Sequence, residues 1–466
     1  MEFKRENYIN LLVSHKHNGQ VKILTGLKGV GKRFLLNQLF KTHLLQLGIH
    51  CEHILFVDLE DPVKDKLKDA LSLYNFIKDT FKLNTNTQDH YYLFITEITK
   101  LKNFESVLNG LMHFSNLDIY VTSSVSCGIT TEVDTQFRGR GDEIKVFPLT
   151  LKELIDNATG KEFKQLLKDY LHFGGLPKVY SLKTTFEKQQ YLKSLVFEHL
   201  QKEISKLISV KANNAFKVKP LETTKTIANT PTITASLFKD ILNVLANTLG
   251  SLTNRGKLCK LVGNMPYDSS YLKLNSKSVE VLIDLLKELY IIDTPKLYDI
   301  KLKSYKRAFK PYFTDFGILN AIVDFKADFE TNALSLCDYG SDDDKISYHQ
   351  RLLENLIFNE LLARNFLVEV GEIATYQKAL QKWRKQKLEI SFVVHKFSRR
   401  YYLKVATGYS VEDYYNEEKS CLCAIRDFFK KLIITSDTVL PYQDEKGLIF
   451  MGLEDFILDK NSLNLF

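Results

Sequence analysis

No apolar run in this 466-residue sequence approaches the roughly 20 residues that a membrane-spanning helix requires. The opening segment Met1-Glu2-Phe3-Lys4-Arg5-Glu6-Asn7 has no apolar core of the signal-peptide kind. These two absences lead to the expectation of a cytoplasmic protein with no membrane partner. The six cysteines form no CxxC pair, and the nearest two are Cys421 and Cys423. That spacing offers neither a disulfide framework nor a zinc-ligand pattern, so reduced thiols and no metal site are expected. A net charge of +8 is small for this length and permits contact with nucleic acid without arguing for it. A single tryptophan and an excess of lysine over arginine fit an AT-rich bacterial genome. What is left is a globular composition, 44% hydrophobic and 26% charged, with length for roughly two to four domains.

The most informative absence is a single hydroxyl. Gly26-Leu27-Lys28-Gly29-Val30-Gly31-Lys32 has the glycines that let backbone N–H groups at Gly29, Val30 and Gly31 converge on a polyphosphate. Lys32 is placed for the terminal phosphates. The next position, where such a loop carries the Ser or Thr that binds magnesium, is Arg33.

Around this loop, short runs that are apolar on both faces alternate with amphipathic stretches. Strands are expected at Val21–Thr25, Ile54–Asp58, Tyr91–Ile95, Asp118–Thr122 and Glu143–Phe147, with a helix through Phe34–Phe40. The pattern predicts a parallel sheet covered on both sides over residues 1–150. Residues 151–208 read as helical, interrupted at Phe173-Gly174-Gly175-Leu176-Pro177. A polar linker or mobile loop is expected over 209–235. Residues 236–330 combine helices, including an amphipathic one at 278–289, with a basic hairpin reaching Phe313. That order predicts a winged helix. Cys337–Ser347 reads as an exposed loop. A small α/β unit over 345–466 opens with a helix at Leu352–Arg364, followed by strands near Leu367–Val370, Leu388–Val394 and Tyr401–Ala406.

Several segments match a family in order. Thr25–Lys32 stands at its P-loop, and Leu93-Phe94-Ile95-Thr96-Glu97-Ile98 at a strand ending in Asp-Glu-Ile. Ile119–Ser124 stands at a strand with a terminal polar sensor. Gly139-Arg140, Pro148–Glu153, Phe173–Pro177, Asn247–Ser251, Phe313–Ile318 and Leu353-Glu354-Asn355 follow. The chain resembles prokaryotic AAA+-like P-loop ATPases that carry a winged helix and a C-terminal domain related in fold to restriction-type nucleases. The resemblance implies an α/β fold class: a P-loop NTPase domain, a helical lid, a winged helix and a small nuclease-like α/β domain.

It also implies ATP as ligand, held by Gly26, Gly29, Val30, Gly31, Lys32 and Arg33, with Thr122 or Ser124 sensing the γ-phosphate. Glu97 stands at the position of the water-activating carboxylate, and Arg138 or Arg140 at that of a charge-stabilising arginine reaching a neighbouring subunit. Both magnesium anchors are replaced, by Arg33 and Thr96, which makes hydrolysis slow and magnesium doubtful. The nuclease-like pattern is altered as well. Glu389-Ile390-Ser391 lacks the second carboxylate, and Leu403-Lys404-Val405 lacks the glutamate before the lysine, so nuclease chemistry is not expected. Basic residues are available for DNA: Lys301, Lys303, Lys306, Arg307 and Lys310 on the hairpin, and Lys378, Lys382, Arg384, Lys385 and Lys387 beside Trp383.

Three functions remain open at this point. The first is an ATP-binding protein with weak or lost hydrolysis that uses nucleotide to fix a conformation or assembly, with a protein partner or a second copy. The second is an active ATPase acting on DNA with a substitute magnesium ligand such as Asp58 or Glu97. The third is a DNA- or protein-binding scaffold without nucleotide.

Overall fold

The computed structural model describes residues 3–83, 89–126, 140–158, 160, 162–200, 202–204, 235–263, 276–323, 342–379, 382–407 and 421–465. They gather into two compact units. One comprises Met1–Leu149, Leu176–Leu182 and Glu288–Ile291; the other comprises Thr150–Gly175, Lys183–Lys287 and Ile292–Phe466. Arg138 and the expected linker fall outside the described residues, apart from Ala235 at the linker's end.

The first unit is built on five strands: β1 (Val21–Thr25), β2 (Ile54–Asp58), β3 (Tyr91–Thr96), β4 (Leu117–Ser123) and β5 (Gly141–Lys145). They lie in the order β2-β3-β4-β1-β5, every pair parallel. Alternate side chains serve opposite faces. Leu93 and Ile95 join Val57, Val121, Ile77 and Leu108 under the helices Ala70–Phe81 and Phe104–Leu111. Phe94 points the other way, into a trio with Phe40 and Tyr120 at ring separations of 5.0–5.8 Å. The chain after the loop is helical from Lys32 to Gln46, with a π-helical segment at Leu35–Phe40. The fifth strand starts and ends two residues earlier than its apolar run indicates, because Gly141 rather than Glu143 pairs with Val21.

In the second unit, Leu151–Asn157 starts at a capping box in which Thr150 and Glu153 satisfy each other's backbone donors. The helices Phe163–Phe173, Thr185–Ser194, Ala235–Asn247, Arg255–Gly263 and Ser276–Glu288 follow, the last ending in the first unit. The two signatures around Gly174 and Asp315 meet. The Asp315 carboxylate accepts the Gly175 N–H at 2.7 Å and the Ile318 N–H at 3.0 Å. Gly174 has φ 74°, and a Cβ there would lie 2.3 Å from Asp315 Oδ1. Gly317 is equally constrained, since a Cβ on it would lie 2.2 Å from the Phe173 carbonyl oxygen. Only glycine fits either position.

The remaining strands are β6 (Ile292–Asp293), β7 (Lys296–Asp299), β8 (Ser304–Phe309), β9 (Tyr312–Phe313), β10 (Leu367–Ala379), β11 (Lys382–Lys396), β12 (Arg399–Ala406), β13 (Lys430–Thr435), β14 (Tyr442–Gln443) and β15 (Leu448–Gly452). The basic hairpin β7–β8 does not stand alone. β7 pairs in parallel with β10, so one eight-stranded sheet runs β14-β15-β13-β12-β11-β10-β7-β8. Sequence reading identifies the hairpin and the strands β10, β11 and β12, but not β13, β14 and β15, and it does not name the neighbours of any of them. Tyr298, Ile373, Ile390, Tyr402, Leu422 and Phe450 pack on one another within this sheet's core. Tyr312 stacks on Phe358 of the helix Asp342–Ala363 at 4.7 Å. That helix corrects part of the loop expected over Cys337–Ser347: the backbone is helical from Asp342, and residues 337–341 lie outside the described residues.

Candidate functional site

Three left-handed glycines shape the loop between β1 and the helix that follows: Gly26 (φ 139°), Gly29 (φ 93°) and Gly31 (φ 94°). A Cβ on Gly26 would lie 2.2 Å from the Val146 carbonyl oxygen, so that turn admits no side chain. The loop lies at the carboxyl ends of parallel strands, the end at which such sheets take ligands. Its helix begins with the Leu35 N–H donating to the Gly31 carbonyl at 2.8 Å. Lys32 is buried and folds back over the loop. Its ammonium donates to the carbonyls of Gly26 (2.7 Å) and Leu27 (3.1 Å) and to Ser124 Oγ (2.9 Å). A phosphate oxygen at this place would replace weaker neutral acceptors with charged ones.

One residue that sequence reasoning missed holds the loop from behind. Arg5 is buried, and its guanidinium donates to the carbonyls of Val30 (3.1 Å) and Phe147 (2.9 Å). Tyr8 lies under it, and the Tyr8 hydroxyl accepts the Phe147 N–H at 2.9 Å. Nothing in an N-terminal Lys-Arg pair signals such a contact across 25 and 142 residues.

Beside the loop stand Arg33 and Thr96, the two residues at which the resemblance implies magnesium anchors. The Arg33 guanidinium is 2.6 Å from Asp58 Oδ2, and the Thr96 hydroxyl donates to Asp58 Oδ1 at 2.7 Å. Asp58 and Thr96 are register partners at the ends of β2 and β3. The replacements at 33 and 96 are therefore joined through one buried carboxylate. Arg33 lies over the Phe56 ring at 5.6 Å but is 58% exposed, so its head can leave Asp58 without breaking a core. Nearby, Lys100 at 2.8 Å holds the Glu60 carboxyl below its usual range, outweighing the partial burial that opposes this.

Glu97 takes a left-handed conformation (φ 50°) directly after β3. Its carboxylate accepts the Ser124 hydroxyl at 2.7 Å and the Ser124 N–H at 3.2 Å. Ser124 thus bridges Lys32 and Glu97. The Thr122 hydroxyl accepts the Glu97 N–H at 3.0 Å and fixes that turn. The structure brings Gly26, Gly29, Val30, Gly31, Lys32, Arg33, Glu97 and Thr122 to one end of the sheet. It does not bring Arg140 there. The Arg140 carbonyl accepts the Val21 N–H at the start of β1, about 16 Å of strand away from Gly26. Its guanidinium donates to Asn109 at 2.9 Å.

The basic hairpin also differs from expectation. Lys306 pairs with Asp299 at 2.9 Å and with Glu372, and Lys301 donates to the Ala374 carbonyl. Lys310, expected on a DNA-facing wing, is buried: its ammonium lies 2.9 Å from Glu354 and 2.5 Å from Glu389. The hairpin's place at the edge of the larger sheet carries this lysine inward. Glu354 also accepts the hydroxyls of Ser391 (2.8 Å) and Tyr312 (3.0 Å). Burial opposes both charges, yet the two carboxylates raise the Lys310 pKa, and Lys310 with Lys404 lowers that of Glu354. Lys303 and Arg307 remain exposed. The side chains of Lys378, Lys382, Trp383 and Arg384 lie outside the described residues. Among the described residues no group of three or more His, Cys, Asp or Glu side chains is arranged to hold a metal, and no helix is long and apolar enough to cross a membrane.

Residues 18–155 match the family model described as an AAA domain, and residues 164–328 match a domain of unknown function, DUF8612. The chain is 26% identical over 435 residues to an uncharacterized protein of Haemophilus influenzae, covering 92% of each. It is 20% identical over 363 residues to an uncharacterized protein of Methanocaldococcus jannaschii, covering 75% of this chain and 68% of that one. Similar solved structures include the ADP form of the Aeropyrum pernix ORC2 protein, with 10% identity, a TM-score of 0.34, and coverage of 70% of this chain and 95% of that one. The Aeropyrum pernix ORC1 protein in complex with DNA is also 10% identical, with a TM-score of 0.29 and coverage of 70% and 93%. Scores at that level carry no argument about function. The AAA-domain match, the all-parallel sheet and the glycine loop at the end of β1 make this part of the chain a P-loop, AAA+ ATPase-like domain.

Proposed function

We propose that this chain binds ATP at Gly26–Lys32 and uses the bound nucleotide to hold a conformation or an assembly, with hydrolysis weak or absent. The observation that carries the reading is the link Arg33–Asp58–Thr96, at 2.6 and 2.7 Å. A guanidinium paired with Asp58 stands beside the phosphate loop where a magnesium ion would normally find its hydroxyl ligand. Such a group neutralises phosphate charge but cannot reproduce a metal's coordination of the β- and γ-oxygens. Lys32 and the backbone N–H groups of the loop supply the rest of the phosphate contacts, and Ser124 reports on the terminal phosphate through Lys32 and Glu97. Arg140, at the far end of its own strands, can serve only a neighbouring copy's nucleotide. The nuclease-like reading of the last unit is kept as a fold proposal without metal chemistry, because Lys310 fills the space between Glu354 and Glu389.

A second reading is favoured by one detail. Asp58 ends β2 beside Thr96, and Arg33 is exposed enough to withdraw. Asp58 then becomes the substitute magnesium ligand of an active ATPase. Thermal unfolding with ATP, with and without magnesium, separates the two, because a ligand that binds only the folded state raises its melting temperature. A metal-independent rise that disappears in Lys32→Ala is expected. A rise seen only with magnesium, accompanied by phosphate release, would establish the second reading. No rise under any condition would leave a scaffold without nucleotide.

A further inference from the structure

Two segments of the second unit repeat one pattern: His395-Lys396-Phe397-Ser398-Arg399-Arg400, which turns from β11 into β12, and Arg426-Asp427-Phe428-Phe429-Lys430-Lys431, which leads into β13. The parallel pairing of Tyr401 with Lys430 brings them to the same end of the sheet. Phe397 is 98% exposed and Phe428 fully exposed at 108%. Two phenylalanines offered whole to solvent, each flanked by cations, are unusual on a folded surface. We propose that this end of the sheet binds an unpaired polynucleotide strand, its bases stacking on Phe397 and Phe428 and its phosphates meeting the cations around them.

The cations are anchored without being neutralised. Lys396 donates to the Arg364 carbonyl at 2.8 Å, and Arg399 to Asn464 Oδ1 at 2.8 Å. Lys430 donates to the carbonyls of Asn464 (3.2 Å) and Leu465 (3.1 Å). Lys431 donates to those of Ile425 (2.8 Å) and Asp427 (3.1 Å). Every one of these acceptors is neutral, so the heads are fixed while the charge remains. Among the described residues, the nearby carboxylates Asp427 and Glu369 have other partners: Asp427 accepts the Tyr402 hydroxyl at 2.6 Å, and Glu369 serves Tyr305 and His395. Burial first, and then the adjacent Arg399, lower the Lys430 pKa. Arg400 lies 5.4 Å from the Phe429 ring centre and 5.8 Å from that of Tyr298, which holds one aromatic face in place. Fixed cations with free aromatic faces are the apparatus of single-strand binding, since a duplex hides its base faces and a strand presents them. A lipid surface needs no fixed heads, and neither segment forms an amphipathic helix here.

The test uses the full chain and a fluorescent 20-nucleotide oligodeoxythymidylate, read by anisotropy at several salt concentrations. Phe397→Ala with Phe428→Ala is expected to weaken binding about tenfold or more, since each stacked base contributes roughly 1–3 kcal/mol. Arg399→Glu with Lys430→Glu is expected to weaken it and flatten the dependence on salt. Phe397 and Phe428 stand in solvent, whereas Arg399 and Lys430 also bond Asn464 and Leu465, so unchanged melting of each double variant certifies folding. Lys32→Ala is expected to bind the oligonucleotide as well as the unaltered chain, which separates this surface from the nucleotide loop. The idea is overturned if the oligonucleotide does not bind, if both double variants bind it unchanged, or if duplex competes equally. It is also overturned if the variants lose only their sedimentation with phosphatidylserine vesicles.

Discussion

At the scale of single residues, the proposed function turns on Arg33. Its guanidinium reaches Asp58 at 2.6 Å, and Thr96 holds the other oxygen of the same carboxylate. Changing one of the pair leaves the other in place, so a single substitution is a poor probe. Arg33→Ser combined with Thr96→Asp returns a hydroxyl and a carboxylate to the two metal positions. Magnesium-dependent phosphate release from ATP is expected to rise at least about tenfold over the unaltered chain, since a well-placed metal supplies several kcal/mol of transition-state stabilisation. An equal rate in both proteins would mean that Arg33 is not what suppresses turnover. Gly26 and Lys32 were legible from the sequence because a phosphate loop is a local arrangement of backbone and one side chain. Arg5 was not, because its partners, Val30 and Phe147, become neighbours only after β1 and β5 pair.

At the scale of elements, the segment Phe173–Gly175 and the start of the helix Phe316–Ile322 form a single clamp around Asp315. The buried carboxylate accepts the backbone N–H groups of Gly175 and Ile318, and among the described residues it faces no cation. Burial raises its pKa to about 6 despite those bonds. The folded state therefore holds a proton that the unfolded chain, with a pKa near 3.9, has released between those values. The contribution of Asp315 to stability is full below about pH 4, falls as pH rises to about 6 and is level above that, by on the order of 3 kcal/mol for a shift of about two units. Urea unfolding of the unaltered chain and of Asp315→Asn at pH 4, 5 and 6 checks this. The stability difference between them is expected to move with pH, and a constant difference would contradict the assignment. Both signatures stood out in the sequence. Their meeting did not, since about 140 residues separate Gly175 from Asp315.

At the scale of the whole molecule, two positions that resemble metal sites are filled by the chain's own cations, Arg33 in the first unit and Lys310 in the second. Lys310 is the more committed of the two. It is buried among Glu354, Glu389, Tyr312 and Ser391, and it joins the β7–β8 hairpin to the helix Asp342–Ala363 and to β11. Lys310→Met removes the cation in contact with Glu354 and leaves the Lys404 charge to offset a buried carboxylate. A loss of about 3–5 kcal/mol of stability is expected, the cost of breaking a buried pair from one side. Adding Glu354→Gln to that variant should recover much of the loss, measured by denaturant unfolding. Equal stability in all three proteins would show that the ammonium is not what neutralises this cluster.

The sequence by itself determined the strands of the parallel sheet, the phosphate loop after β1 and the two substitutions beside it. Each of these is written in residues that are neighbours in the chain, where periodicity and turn chemistry act directly. Tertiary structure alone decided that Arg33 and Thr96 share one carboxylate, that Arg140 lies at the far end of its strands, and that the basic hairpin extends the C-terminal sheet with Lys310 turned inward. It also decided that Phe397 and Phe428 share one end of that sheet. Strand pairing sets these neighbours, and a backbone edge accepts any strand whose register buries the right face. No short window of residues carries that choice.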